Sequence, residues 1–393
     1  MKLIIFYHLK DSYCLSYPVL FNYLGIKKNK EMLKQHNIEL IDFRDFLSKK
    51  DRDLLDQCNK NNIEIEPKAE FIKWTSGAVG PNYGSYVAQA VSNLVDIMRN
   101  SDIYNNSILL GFQNMGSDWF FCRKGLSPFD WYDIFKSKNC KLMFWYDDLH
   151  GFPGFPKIDD YDRDSDYSKC SDWRLDLADK ILTPSRHYYE LINSQYLNKT
   201  IHYFYSLNED WFPQIDINNF KTRKNKILLS GAIGSYPTRV LLQFIKINRI
   251  TFHNLIELLD RSSEDRTQSD FRSKTGINYL KHICTYKGAF YATAFKPLNF
   301  GLAKIIEILM CGTIGFFEFS PLLEKELGLI AFKHYVPITD KDGELINNST
   351  YYLKYLNSKE GEQIALNGAN YIRSEFSSEK RMYQLISILK EYE

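Results

Sequence analysis

The chain has 393 residues, and 50 Lys and Arg against 48 Asp and Glu leave a formal net charge of only +2. So near a balance, no global field draws in nucleic acid or an anionic membrane surface. The 44% hydrophobic and 25% charged content is that of a globular chain, not a disordered or fibrous one, and the length suits two domains, each able to bury its own core.

The seven cysteines (Cys14, Cys58, Cys122, Cys140, Cys170, Cys284 and Cys311) are scattered and form no CxxC pair. They read as reduced thiols of a cytoplasmic protein, not as a disulfide framework or a zinc site. The opening "MKLIIFYHLKDSYC" is interrupted by His8 and Lys10 and is too short in its apolar run for a signal peptide. No apolar stretch reaches the roughly 20 residues of a membrane span, so no transmembrane segment is expected.

In chain order, "KLIIFY" from Lys2 and "IELIDF" from Ile38 read as strands, as do "SILLGF" from Ser107, "KLMFWY" from Lys141, "KILT" from Lys180 and "TIHYFY" from Thr200. Helical stretches such as "YVAQAVSNLVDIMRN" and "SRHYYELINSQY" separate them. Short, nearly continuous apolar strands alternating with amphipathic helices predict a parallel sheet covered on both faces. The polar stretch 208–226, with Pro213 and a basic end, reads as an interdomain linker.

A second α/β series follows. "NKILLSGAIGSYPTRVLLQFIK" reads as strand, glycine turn and helix, and "CTYKGAFYATAF" as a strand with a loop. "GLAKIIEILMCG" is a helix, "TIGFFE" a strand, "PLLEKELG" a short helix stopped by glycine, and "HYVPIT" a strand. Helices over "STYYLKYLNS", "EGEQIALNGANYIRSEF" and "SSEKRMYQLISILKEY" close the chain. The fold class is therefore α/β, two Rossmann-like doubly wound domains facing across a cleft. The expected boundaries are 1–212, 213–376, and a last helix, 377–393, that can return to the N-terminal domain. In such sheets ligands sit beyond the carboxyl ends of the strands.

The chemistry-bearing segment of the second half is "FKPLNFGLAKIIEILMCGTIGFFEF". Phe300 and Gly301 open a helix whose free N–H groups suit a diphosphate, and Lys304 and Glu307 follow at i, i+3 spacing. A carboxylate there can accept hydrogen bonds from ribose hydroxyls. The plain alternative is an exposed helical ion pair, but a bare carboxylate among Ile305, Ile306, Ile308 and Leu309 is costly.

Four stretches in order, "KILLSGAIGSYPTR", "AKIIEILMCGTIGFFE", "LGLIAFKHYVPITDKDGELINNSTYYL" and "NGANYIRSEFSSEKRMYQLISIL", resemble the group-1 glycosyltransferases of GT-B architecture, and most of all the spore-maturation-type branch. The resemblance covers roughly residues 225–390, and more loosely "DKILTPSRHYYELI". It implies that Glu307 holds the nucleotide ribose and that the turn at Gly231 and Gly234 lets the backbone approach the diphosphate. Lys304, Ser235 and Arg239 are the phosphate candidates. Many retaining members carry a second Glu eight positions before this one; here that position is Asn299, which leaves inverting against retaining chemistry open.

The resemblance places the acceptor on the N-terminal domain. "YDDLHG" offers Asp148 and His150 as catalytic candidates, with Asp147 orienting them; a carboxylate or an imidazole can deprotonate an acceptor hydroxyl. The alternative is a capped turn with a satisfied loop histidine. His8, after the first strand, and Asn114 and Asp118, after "SILLGF", are acceptor-binding candidates, each with a structural or turn role as the alternative. "DDYDRDSD" lacks the Gly and Glu of a calcium loop, and "SGAVGPNYGSY" is not a dinucleotide fingerprint.

The expected activity is transfer of a hexosyl or related sugar from a nucleotide-diphosphate sugar, UDP- or GDP-linked, to a glycan, lipid or protein hydroxyl. Neither a metal nor a separate cofactor is expected. Two alternatives stand beside it: a sugar-nucleotide epimerase or hydrolase, and a non-catalytic glycan- or nucleotide-binding protein of the same shape.

Overall fold

The structure is a computed structural model that describes residues 1–6, 17–53, 83–112, 128–145, 173–184, 194–231, 255–260, 276–292 and 303–392. These residues form two compact units.

The first unit is built on a six-stranded sheet: β1 (Lys2–Phe6), β2 (Glu39–Asp42), β3 (Ile108–Phe112), β4 (Lys141–Trp145), β5 (Lys180–Thr183) and β6 (Thr200–His202). The order is β2-β1-β3-β4-β5-β6 and every neighbouring pair is parallel. Among the described residues, helices α1 (Tyr17–Lys28), α2 (Lys30–Gln35), α3 (Tyr83–Asn100), α4 (Pro128–Ser137) and α5 (Trp173–Leu177) belong with it. The strand sequences explain the burial. Leu3 to Phe6, Ile108 to Leu110, Met143 to Trp145, and Ile181 and Leu182 are all buried, because a parallel sheet covered by helices hides both faces. The chain leaves β1 for β2 on one side and returns to β3 on the other, so a topological switch point lies at the carboxyl ends of β1 and β3.

β6 is shorter than "TIHYFY" predicts. Tyr203 still donates to the Thr183 carbonyl at 2.7 Å, but its own carbonyl turns to the Trp145 indole N–H at 3.3 Å. Tyr205 then packs edge-on against Trp145, centroids 5.5 Å apart. The aromatics are buried by side-chain packing after leaving the ladder. The end of "SRHYYELINSQY" is a 3-10 helix, Ser194–Lys199, and its beginning lies outside the described residues.

The second unit carries a five-stranded parallel sheet: β7 (Lys224–Gly231), β8 (Ile256–Asp260), β9 (Tyr286–Tyr291), β10 (Ile314–Phe317) and β11 (Val336–Pro337), in the order β11-β10-β9-β7-β8. Its helices are α6 (Gly276–Ile283), α7 (Ala303–Met310), α8 (Pro321–Leu327), α9 (Ser349–Leu356) and α10 (Lys359–Glu375). Ser320, Asn348 and Ser358 cap α8, α9 and α10 through their side-chain oxygens. α8 ends at Gly328, whose φ of +67° is a left-handed cap that a side chain would strain. β7 is flanked by β8 and β9, so the second switch point lies at the carboxyl ends of β7 and β9.

The stretch expected to be a linker is folded into this unit. Asn208 caps a 3-10 helix over Glu209–Gln214, a second 3-10 turn covers Phe220–Thr222, and Lys224 already begins β7. Trp211, Ile215 and Phe220 are buried. These few apolar residues anchor a segment that its polar composition disguises. One division between the two units falls between Leu207 and Asn208.

The last helix, α11 (Ser378–Lys390), belongs to the first unit. The Gln384 amide donates to the His202 carbonyl at 2.6 Å, Tyr203 Oη donates to the Arg381 carbonyl at 3.2 Å, and Asn29 Nδ2 donates to Ser378 Oγ at 3.1 Å.

A Gly→Ala change in a helix ordinarily stabilises by about 1 kcal/mol. At Gly361 the sign reverses, because an added Cβ overlaps the Tyr355 carbonyl oxygen where α9 meets α10. Gly361→Ala is expected to destabilise by roughly 1–3 kcal/mol in chemical denaturation; a stabilised variant would show that the corner yields.

Candidate functional site

The described part of the site lies at the carboxyl end of β7. The strand's apolar residues Ile227 to Leu229 are fully buried, and the strand ends at Ser230 and Gly231. The Ser230 hydroxyl shares a 2.5 Å hydrogen bond with the hydroxyl of Tyr279, a fully buried residue of α6. The Ser230 carbonyl accepts from Lys304 Nζ at 2.9 Å. A cation is thereby held at the switch point of the second sheet, and a helix hydroxyl fixes the strand end on which it rests.

α7 carries both Lys304 and Glu307. Its residues Ile305, Ile306, Ile308 and Leu309 are buried against the rest of the unit, which is why the helix forms where it does. Glu307 is buried as well, 6% exposed. Burial alone pushes its carboxyl up to about 8. No described residue donates a hydrogen bond to it, and Lys304 reaches the Ser230 carbonyl instead. The exposed ion-pair alternative therefore does not describe these two residues. A buried carboxylate without a donor among the described residues is costly unless something else supplies one.

The carboxyl end of α7 is held by two arginines. Arg223 donates to the carbonyls of Cys311 (2.9 Å), Gly312 (2.7 Å) and Asp216 (2.8 Å), to Thr313 Oγ1 (2.9 Å) and to Asn219 Oδ1 (2.7 Å). Arg373 donates to the carbonyls of Met310 and Ile215, both at 3.1 Å. Cations suit the negative end of a helix dipole, and these two fix the axis along which Glu307 and Lys304 are presented.

Of the residues expected to bind the donor, the structure brings Gly231, Lys304 and Glu307 to one region. Gly234, Ser235, Arg239, Asn299 and Gly301 lie outside the described residues. So do the catalytic candidates Asp147, Asp148 and His150 and the acceptor candidates His8, Asn114 and Asp118. In the chain these follow β1, β3 and β4, three strands adjacent in the first sheet. Ser230, Tyr279 and Arg223 were not among the expected site residues. Only Ser230 carried a signal, its place just before the glycine turn.

Among the described residues, no group of His, Cys, Asp and Glu could hold a metal ion, and no helix is long and apolar enough to cross a membrane.

No protein-family profile and no curated protein sequence matches the chain. Solved structures do. An alpha-glucosyltransferase in complex with UDP and a 13-mer DNA containing a central A:G mismatch is 9% identical, covers 99% of this chain and 98% of its own, and gives a TM-score of 0.53. An alpha-glucosyltransferase in complex with UDP-glucose and DNA containing an abasic site is 8% identical over 99% of both chains, with a TM-score of 0.49. A glycosyltransferase from Rickettsia africae ESF-5 is 13% identical over 100% of this chain and 98% of its own, with a TM-score of 0.48. At such identities the first of these speaks to the fold alone. With the two parallel sheets, it makes the architecture that of the GT-B glycosyltransferases, an α/β chain of two Rossmann-like units.

Proposed function

We propose that this protein is a glycosyltransferase that moves a sugar from a nucleotide-diphosphate sugar to an acceptor hydroxyl. The observation that carries the reading is Glu307, a buried carboxylate without a donor among the described residues, one turn from a lysine fixed at the carboxyl end of β7. Ribose hydroxyls supply donors for that carboxylate, which has none among the described residues. Lys304 places its charge beside the strand end, where the diphosphate of the leaving nucleotide accumulates charge in the transition state. The donor sugar is UDP- or GDP-linked, and the reaction proceeds without an obligatory metal. The acceptor is a glycan, lipid or protein, activated by Asp148 or His150, with Asp147 orienting them. The four sequence stretches support the finer assignment to the spore-maturation-type branch.

The test is release of nucleoside diphosphate from a panel of UDP- and GDP-sugars, with and without EDTA, in the presence of simple glycoside acceptors. One base is expected to support turnover that EDTA does not abolish, and Glu307→Ala is expected to reduce kcat/KM at least 100-fold, about 2.7 kcal/mol. Binding without turnover would favour the non-catalytic alternative; an altered free sugar nucleotide would favour the epimerase.

A further inference from the structure

Two cysteines meet behind the donor helix. Cys284 follows α6 and Cys311 follows α7. The Leu280 carbonyl accepts both the Cys284 backbone N–H, at 3.0 Å, and the Cys311 thiol, at 3.5 Å. In return, Cys284 Sγ lies 3.8 Å from the Cys311 carbonyl. Cys311 is wholly buried, whereas Cys284 is partly exposed. The guanidinium groups of Arg223 and Arg373, on the carbonyls of Cys311 and Met310, flank the pair.

This is an asymmetric arrangement. The Cys311 thiol and then the two arginines hold Cys284 below the ordinary thiol range, while burial pushes Cys311 well above it. A thiol that only fills space looks like Cys140, buried and raised by that burial. Low-pKa, accessible thiols beside a second thiol are the ones that oxidise selectively.

We propose that Cys284 is a peroxide-reactive thiol and Cys311 its resolving partner, so that the two form a reversible disulfide between the ends of α6 and α7. The Cys284 thiolate attacks one oxygen of hydrogen peroxide. An S–O bond forms, the O–O bond breaks, and the departing hydroxide is protonated to water, leaving a sulfenic acid oxidised by two electrons. The Cys311 sulfur then attacks the Cys284 sulfur. An S–S bond forms, the S–O bond breaks, and the hydroxide leaves as water with the Cys311 proton. One dithiol and one peroxide give one disulfide and two waters. The site does not depend on what the donor region binds.

The test uses the reduced full-length chain, treated with hydrogen peroxide, alkylated, and digested without reductant for mass spectrometry. A linked peptide joining Cys284 and Cys311, released by dithiothreitol, is expected. In Cys311→Ser, dimedone is expected to label Cys284; in Cys284→Ser, both the cross-link and labelling of Cys311 disappear. If a variant fails to fold, timed iodoacetamide labelling of the native chain decides: Cys284 is expected to react at least tenfold faster than Cys140 and Cys311. Labelling of Cys311 in Cys284→Ser, oxidation that leaves Cys284 untouched, or equal labelling rates for the three thiols would overturn the proposal.

Discussion

Glu307→Gln is expected to stabilise the ligand-free protein at pH 8 and above while weakening nucleotide binding. The carboxyl titrates near 8 in the folded chain against an ordinary 4.5. Between those values the native state holds a proton that the unfolded state has released. The stability associated with the neutral acid is fully present below about 4.5 and is lost as the pH rises through 8. Above 8 the native state carries a buried charge, a handicap on the order of a few kcal/mol. Glutamine has the same shape and does not titrate. The gap between variant and wild type therefore opens from pH 5 to pH 8 and then levels. Denaturant midpoints across that range measure it, and parallel pH curves for the two proteins would contradict it. On the proposed role of Glu307 at the ribose, the ligand-bound protein moves the other way, because a glutamine oxygen is a weaker acceptor for hydroxyls than a carboxylate. Opposite signs for stability and binding are what a site kept at the expense of stability shows.

Arg223→Met is expected to be the most damaging substitution away from the ligand. Arg223 is buried and donates five hydrogen bonds, three of them to backbone carbonyls. Methionine fills part of the volume but leaves the Cys311, Gly312 and Asp216 carbonyls without their donors. Bonds to a charged group and the desolvation of orphaned acceptors put the loss at about 3 kcal/mol or more, which lowers the melting temperature by roughly 10 °C for a unit of this size. Arg223→Lys is expected to recover little, since an ammonium cannot span acceptors set out for a planar fork. Thermal melts of the two variants check this; a Lys variant as stable as wild type would show that the charge alone matters.

Most strands of the two sheets were legible because a parallel sheet covered on both faces demands unbroken apolar runs, and "KLIIF", "ILLGF" and "IGFF" supply them. β8 was not legible. It is an edge strand with Leu258 38% exposed and Glu257 in mid-strand, so "IELLD" carries no clean apolar run. The segment 208–226 read as a linker because its stabilising contacts are remote: Arg223 reaches carbonyls 88 and 89 residues further on. In the site, Lys304 and Glu307 showed themselves as charges on an otherwise apolar helix. What Lys304 rests on did not, because Ser230 lies 74 residues earlier. Tyr279 gave no signal, since a tyrosine whose hydroxyl steadies a strand end looks in sequence like any core aromatic. The Cys284 and Cys311 pair was equally hidden: an odd count of scattered cysteines says nothing about which two become neighbours.

The most direct test of the donor site is thermal stabilisation of the wild-type chain by UDP, GDP, CDP, dTDP and their sugar conjugates, run beside Glu307→Ala. A ligand at ~100 times its dissociation constant adds roughly 2.7 kcal/mol to the native state. Stabilisation by one base that disappears in a folded Glu307→Ala is the expected result. A folded wild-type protein that no nucleotide stabilises would contradict the assignment of Glu307 and Lys304 to a nucleotide-sugar site.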